Sequence, residues 1–421
     1  MSSLAIILKN YPYLNGETFF YSELEMLSRH FKQIVIISRQ SDSLNQKTHY
    51  RLPKNAIHIN IDIKRTLKSR IVFFVKSLFN GTWIRLIQDL VSSSTSFNPL
   101  TIKTAIAYDE MAMMTKDKLE VAMKSKGLAP KDFLWYSYWC DDSAYMLSRW
   151  KAIGGIIKAV SRTHGFDIYS ERHPFNYLPY RKYIYQHLDN VICISSHGKQ
   201  FLSNKFPKFK NKFEVFSLGV DNQPLIESSP RIPLRIVSVS TIIPLKNLTL
   251  LIQALEYWKL SKIEWHHIGQ GSDDAYRNSV VEMANNLLLK NPQVSFTFHG
   301  FIPPEQIIQN LKDLRPHALV NSSQFEGIPV SMMEASSLGI PIIGPYIFGI
   351  PEIVKDGING FSFFPLTPQS LEKALLKLAN LSGAEHEEMC INARKLQQED
   401  FNAELNHLKF SLRLQDIADE L

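Results

Sequence analysis

Two glutamates eight positions apart, Glu326 and Glu334, frame the residues Gly327-Ile328-Pro329 in this sequence. Carboxylates accept hydrogen bonds from sugar hydroxyls, and a glycine beside one lets a ligand approach the backbone closely. Pro329 fits a first helical position, where its missing N–H is one the helix does not use. The segment from Val330 to Leu338 reads as a short helix. Its N-terminus would turn the N–H groups of Gly327, Ile328 and Val330, and the positive end of its dipole, towards a phosphate or diphosphate. Glu334, one turn further in, is then placed to accept from both hydroxyls of a ribose. Glu326 stays in the loop, free to face a reacting sugar.

The flanking residues say which elements position these groups. Ala318-Leu319-Val320 is an apolar run fit for a buried strand, and Gly339-Ile340-Pro341 closes the helix ahead of a second one, Ile342-Ile343-Gly344. Strand, glycine-bearing loop, helix and strand in about 30 residues make the unit of a parallel sheet. Similar patterns alternate elsewhere. Leu4 to Leu8, Val35 to Ile37, Phe133 to Tyr136, Asp189 to Ser195, Arg235 to Thr241, Val294 to Phe298 and Phe361 to Phe364 read as strands, and Pro368 to Leu421 as helices. The loop after the first strand holds Asn15-Gly16 with Thr18 as a helix cap, a second glycine loop at a helix start. Trp265 to Ile268 runs into Gly269-Gln270-Gly271, but Asp274 stands where a dinucleotide-binding fingerprint needs its third glycine. His266 and His267 are adjacent, which is not helical metal-ligand spacing.

At 421 residues the chain is long enough for two domains, and its apolar (45%) and charged (21%) fractions are those of a globular protein. The three cysteines are far apart, with no metal-ligand spacing, so a reducing compartment and no structural zinc are expected. The N-terminus lacks a basic lead and a full apolar core for a signal peptide, and no window approaches a membrane span, so the expected location is cytoplasmic. Charge is uneven. Residues 1–225 hold 31 Lys+Arg against 18 Asp+Glu, whereas 226–421 hold 16 against 22. A basic first half suits an anionic membrane surface or a phosphate-bearing acceptor. Residues 64–79 combine five cations with a Phe-rich apolar side, which reads either as an interfacial helix or as a core helix with a solvated basic end. No helix-turn-helix, zinc or base-stacking motif is present, so nucleic acid is not an expected partner.

The spacing of Glu326 and Glu334 with Gly-x-Pro inside it is followed by Gly339-Ile340-Pro341, Gly349-Ile350-Pro351-Glu352 and Asp356-Gly357-Ile358-Asn359-Gly360. This series resembles the donor-site block of the retaining glycosyltransferases of family four, within the glycosyl transferases group 1. The resemblance implies an α/β fold of glycosyltransferase B architecture, two doubly wound Rossmann-like domains facing each other across a cleft. An N-terminal acceptor-binding domain would cover 1–222 and a nucleotide-sugar-binding domain 231–385, joined by a linker at 222–230. C-terminal helices over 386–421 would follow, the last packing back on the N-terminal domain.

The resemblance also implies roles. His164 matches a strand-end histidine that approaches the donor hexose, and with Glu326 it forms the catalytic pair. Asn15 and Gly16 would lie over the diphosphate, and Gly300 and Phe301 at the nucleobase. Lys246 matches one of two cations on the diphosphate. Thr241 occupies the position of the other, usually Arg, a departure that leaves two alternatives: Thr241 contributes its hydroxyl only, or another cation, Arg162 or Arg172, supplies the charge. The expected reaction is retaining transfer of a hexose or N-acetylhexosamine from a nucleotide sugar, UDP-linked, to a glycan or lipid-linked oligosaccharide acceptor. No Asp-x-Asp occurs, so neither a metal nor another cofactor is expected. The alternatives are a non-catalytic accessory subunit and a nucleotide-sugar epimerase.

Overall fold

Uninterrupted apolar runs form the inner strands of two parallel sheets, because helices cover both faces of such sheets and every side chain of an inner strand is then buried. The structure, a computed structural model, describes residues 2–13, 17, 20–39, 50–93, 98–227 and 231–420. Asn15, Gly16 and Thr18 lie outside the described residues. The chain divides into two compact units. One comprises the residues up to Phe216 together with those from His407 onward, and the other is Ser217–Asn406.

The first unit holds β1 (Ser3–Leu8), β2 (Gln33–Ser38), β3 (Ala56–Asn60), β4 (Phe133–Ser137), β5 (Lys158–Thr163), β6 (Asn190–Cys193) and β7 (Phe213–Val215). Their order is β3-β2-β1-β4-β5-β6-β7, all neighbours parallel. The second holds β8 (Leu234–Val239), β9 (Ile263–Ile268), β10 (Val294–Phe298), β11 (Ala318–Val320), β12 (Ile342–Pro345) and β13 (Gly360–Phe363), ordered β10-β9-β8-β11-β12-β13 and parallel throughout. In both sheets the order reverses beside the first strand, at β1/β4 and at β8/β11. The loops leaving the carboxyl ends of those strands diverge there and leave a crevice. This is the doubly wound, Rossmann-like arrangement in each unit.

The helices that bear on function are α1 (Phe20–His30), α2 (Leu67–Ser77), α3 (Thr82–Ser92) and α4 (Pro99–Ser125) in the first unit, and Val330–Ser337 in the second. The final helix, Ala403–Asp419, buries Phe410, Leu414 and Ile417 in the same core as Leu4, Ile6, Leu24 and Val160. Arg162 lies beneath it. Its guanidinium pairs with Glu23 and stacks on Phe410 at 4.1 Å, and both charged residues are almost fully buried. Arg162 is therefore a core cation, already neutralised, and cannot replace the missing cation at Thr241. The stretch read as a linker, 222–230, is tied into the second unit by Ile226, whose N–H donates to Leu338 O, and just ahead of it Val220 N–H donates to Phe401 O.

Candidate active site

In the second unit the loops after β8 and β11 meet. Pro244–Lys246 forms one turn of tight helix, and Asn247, in the left-handed region at φ 49°, redirects the chain into the next helix. Two hydrogen bonds fasten this turn to the other loop: Gln324 N–H donates to Leu245 O (2.9 Å) and Ser322 Oγ–H to Lys246 O (2.9 Å). With the backbones joined, Lys246 Nζ pairs with Glu326 Oε1, which also accepts from Ser323 Oγ (2.7 Å). The two site residues that sequence motifs single out, 80 positions apart, are thus in direct contact. Glu326 faces a cation rather than open space, a correction to its expected freedom.

The helix after Glu326 begins at Val330, not at Pro329. Pro329 keeps its ring-fixed φ of −65°, but its ψ of 132° is extended, so it caps the helix, and its carbonyl accepts from Met332 N–H. The N–H groups of Gly327, Ile328, Val330 and Ser331 find no acceptor among the described residues. Four donors and a helix N-terminus thus follow Glu326 within five residues, an arrangement able to take an anion. Its shape is held from behind by the loop after β12. A Cβ at Gly349 would lie 2.3 Å from Gly327 O, and Phe348 stacks on Phe325 at 4.7 Å.

Glu334 lies on this helix, partly exposed, and no described residue donates to its carboxylate. Burial, with no cation to offset it, pushes its carboxyl up to about 8. A carboxyl in that position lacks donors, which a pair of vicinal hydroxyls would supply.

The remaining residues of the second unit sort by their contacts. Gly269 packs against Ser240 and Gly271 against Ile242, so closely that a Cβ would stand 1.9 Å and 2.3 Å from their carbonyl oxygens. The Gly-x-Gly turn therefore serves backbone packing at the crevice edge. Gly269 N–H donates to Gly300 O (2.8 Å), which ties the loop after β10 to that edge, and Phe301 there is exposed. Thr241 is exposed in the loop after β8. Asp356 to Gly360 is a structural turn into β13. Asn359 bridges Lys355 N–H and Ile353 O, Asp356 accepts from Ser362 N–H, and a Cβ at Gly360 would strike Ile342 O. His266 and His267 bond separate partners, His299 and Ser238.

His164 belongs to the first unit, at the end of β5. Its ring lies 4.2 Å from that of Trp139, and both ring nitrogens are buried without a hydrogen-bond partner. Asp167 accepts from its backbone N–H and from Cys140 N–H (2.8 Å). Sequence reasoning missed two features of this unit. Glu17 gathers Lys9, Asn10 and Tyr11 N–H and Trp139 Nε1–H onto one carboxylate, shaping the loop after β1. A cavity of about 580 Å³ beside it is lined by Lys9, Arg39, Tyr108, Asp141, Asp142 and Arg181. Burial disfavours charge on both aspartates. At Asp141 the cations Lys9 and Arg39 outweigh it and hold the carboxyl below the usual range, whereas at Asp142 burial prevails and the carboxyl is pushed up, with the Asp141 charge adding to the rise. The only sequence signal was an acidic doublet shortly after a strand.

The chain is 28% identical over 269 residues to the putative colanic acid biosynthesis glycosyltransferase WcaL of Salmonella typhimurium, covering 60% of this chain and 63% of that relative. Two solved structures superpose on essentially the whole chain at low identity, which shows the shared fold. They are the lipopolysaccharide outer core galactosyltransferase WaaB (TM-score 0.65, 16% identity, 100% of both chains) and Anabaena Alr3699/HepE in complex with UDP and glucose (TM-score 0.64, 15%, covering 97% of this chain and 98% of that one). The family model for glycosyl transferases group 1 matches residues 224–397, the stretch that contains Lys246, Glu326 and Glu334. Residues 224–397, and with them most of the second unit, belong to the glycosyl transferases group 1 family.

Proposed function

We propose that the protein is a retaining hexosyltransferase that takes a hexose or N-acetylhexosamine from a UDP-sugar, without a metal ion, and passes it to a glycan or lipid-linked oligosaccharide acceptor in cytoplasmic assembly of a surface polysaccharide. The observation that carries this reading is the arrangement at the β8/β11 crevice: the anion cradle at Gly327 to Ser331, Lys246 beside it, and Glu334 lacking donors one turn into the helix. Each part matches a portion of a nucleoside diphosphate sugar. HepE in complex with UDP and glucose and WcaL with its polysaccharide context support the donor and pathway classes.

The barrier to transfer lies in departure of the nucleotide diphosphate as positive charge builds on the sugar, so the site must stabilise negative charge on the leaving phosphate. Lys246 and the free N–H groups do so, and Lys246 exchanges part of its bond to Glu326 for the phosphate. Glu326, so released, accepts from the sugar hydroxyls. Glu334 takes the ribose hydroxyls, Gly300 and Phe301 border the base, and the charged cavity of the first unit, with His164 in that same unit, receives the acceptor. A fixed cation and backbone donors replace what a metal would otherwise supply.

The test is a thermal shift with UDP, GDP, TDP and ADP, each without and with Mg²⁺, on wild type and on Glu334→Ala. Ligand at ~100 times its dissociation constant stabilises by about 2.7 kcal/mol. A metal-independent shift with UDP that the variant loses is expected, and no shift with any nucleotide overturns the reading. Exposed Thr241 in place of the usual Arg favours one second reading, a non-catalytic subunit. That reading predicts nucleotide binding without product. A changed sugar still on its nucleotide, formed without acceptor, would instead identify an epimerase.

A further inference from the structure

Helix α2 turns the wrong face to solvent. Leu67, Ile71, Phe74, Val75 and Leu78 recur at i, i+4, i+7, i+8 and i+11, one apolar stripe of a helix, and each is more than half exposed. The helix instead packs on the protein through Phe73 and Ser77, on its far side. Beyond it Phe79 is 86% exposed, and α3 has an exposed apolar stripe of its own in Ile84, Ile87 and Val91, at i, i+3 and i+7, also more than half exposed. Five exposed apolar side chains on one helix stripe, with three more on the next helix, mark a contact site.

Charge identifies what meets it. Six Lys and Arg stand between Ile63 and Gln88; Lys64, Arg65, Lys76 and Arg85 pair with Asp62, Glu110, Asp117 and Asp109, which leaves Lys68 and Arg70 to supply the charge. At 100° per residue, Lys68 and Arg70 fall on either flank of the α2 stripe and both are exposed, while Lys76 lies opposite and pairs with Asp117 of α4 (2.6 Å). Long cationic side chains flanking an apolar stripe can lay their stems on it and raise their charges to a headgroup plane. A second copy of the chain seated on this face by two-fold symmetry would bring the same cations together. No helix among the described residues is long and apolar enough to cross a membrane, so the contact is one of surface.

We propose that this face of α2 and α3 docks on an anionic lipid bilayer, its apolar stripe in the acyl boundary and Lys68 and Arg70 at the headgroup phosphates. The proposal stands apart from the glycosyl-transfer reading and is tested without activity. The full chain is centrifuged with phosphatidylcholine vesicles, with and without phosphatidylglycerol. It should sediment with the anionic vesicles, roughly tenfold less with the neutral ones, and less as salt rises. Ile71→Glu with Phe74→Glu should lower binding by roughly tenfold or more at an unchanged thermal midpoint, since both positions are exposed. Lys68→Glu with Arg70→Glu should reduce anionic binding to the neutral level. No sedimentation with anionic vesicles, or sedimentation indifferent to either pair of substitutions, overturns the proposal. So does a dimer in light scattering that Ile71→Glu with Phe74→Glu dissociates, which would place a second copy on the face.

Discussion

Lys246 and Glu326 pair across the point where the strand order of the second sheet reverses, and two hydrogen bonds, Gln324 N–H to Leu245 O and Ser322 Oγ–H to Lys246 O, join the loops that carry them. Both side chains are largely buried. The pair is thus held in place by its loops rather than by its own attraction. Lys246→Ala should weaken UDP binding by roughly tenfold, the loss of one charged phosphate contact. Glu326→Ala should lower turnover at least a hundredfold with the fold intact, checked by circular dichroism. Unchanged product formation in Glu326→Ala would remove its assigned role.

Glu334 predicts a dependence on pH. Its folded carboxyl, at about 8, lies above its ordinary 4.5, so between those values the folded chain holds more protons than the unfolded one. Its contribution to stability is therefore greatest below pH 4.5 and declines as pH rises to 8, by up to about 1.4 kcal/mol per unit. Glu334→Gln removes that slope. Urea unfolding at pH 6 and pH 9 should show the variant gaining on wild type at the higher pH. Nucleotide binding has the opposite sense. Ribose hydroxyls favour the carboxylate, so binding below pH 8 releases protons and tightens as pH rises. Calorimetry in two buffers of different ionisation enthalpy reads that release directly, and zero release would detach Glu334 from the ribose.

Gly349 has no catalytic group, yet its substitution should act on the site. In Gly349→Ala the new Cβ must displace Gly327 O, which lies 2.3 Å away. We expect UDP affinity or turnover to fall by roughly tenfold or more, because the N–H cradle moves, and a stability cost of about 1–3 kcal/mol from overpacking. A variant with wild-type kinetics would show that the cradle geometry is not needed.

Arg162 and Glu23 offer the contrasting case of charge used for folding. Arg162→Ala leaves Glu23 buried without its cation and takes away the stack on Phe410. A loss of about 3–5 kcal/mol in unfolding free energy is expected. Arg162→Met with Glu23→Leu, which removes both charges, should recover much of it. Recovery failing in the double variant would mean that the pair is favourable in itself.

Much of the fold was legible because it is written in neighbouring residues. The apolar runs at Leu4, Val35, Ala318 and Ile342 mark strands buried on both faces, and glycine and proline punctuate the loops between them. The Glu326 and Glu334 spacing likewise set two carboxylates around one helix start. Even the ambiguity over residues 64–79 was visible, since their period of apolar residues is plain. A hydrophobic period fixes a face but not what that face meets.

What the sequence by itself determined are the elements, their alternation and the spacing of Glu326 and Glu334 about a helix start, since backbone propensity and periodicity depend on residues a few positions apart. What only the tertiary structure decided is which distant side chains meet: Lys246 with Glu326, Arg162 with Glu23, Glu17 with Trp139, and the acidic doublet at 141 with Lys9 and Arg39. The direction of the α2 stripe belongs with these. Such contacts follow from strand order and helix packing, which are set by burying the whole core at once, so no local pattern encodes them.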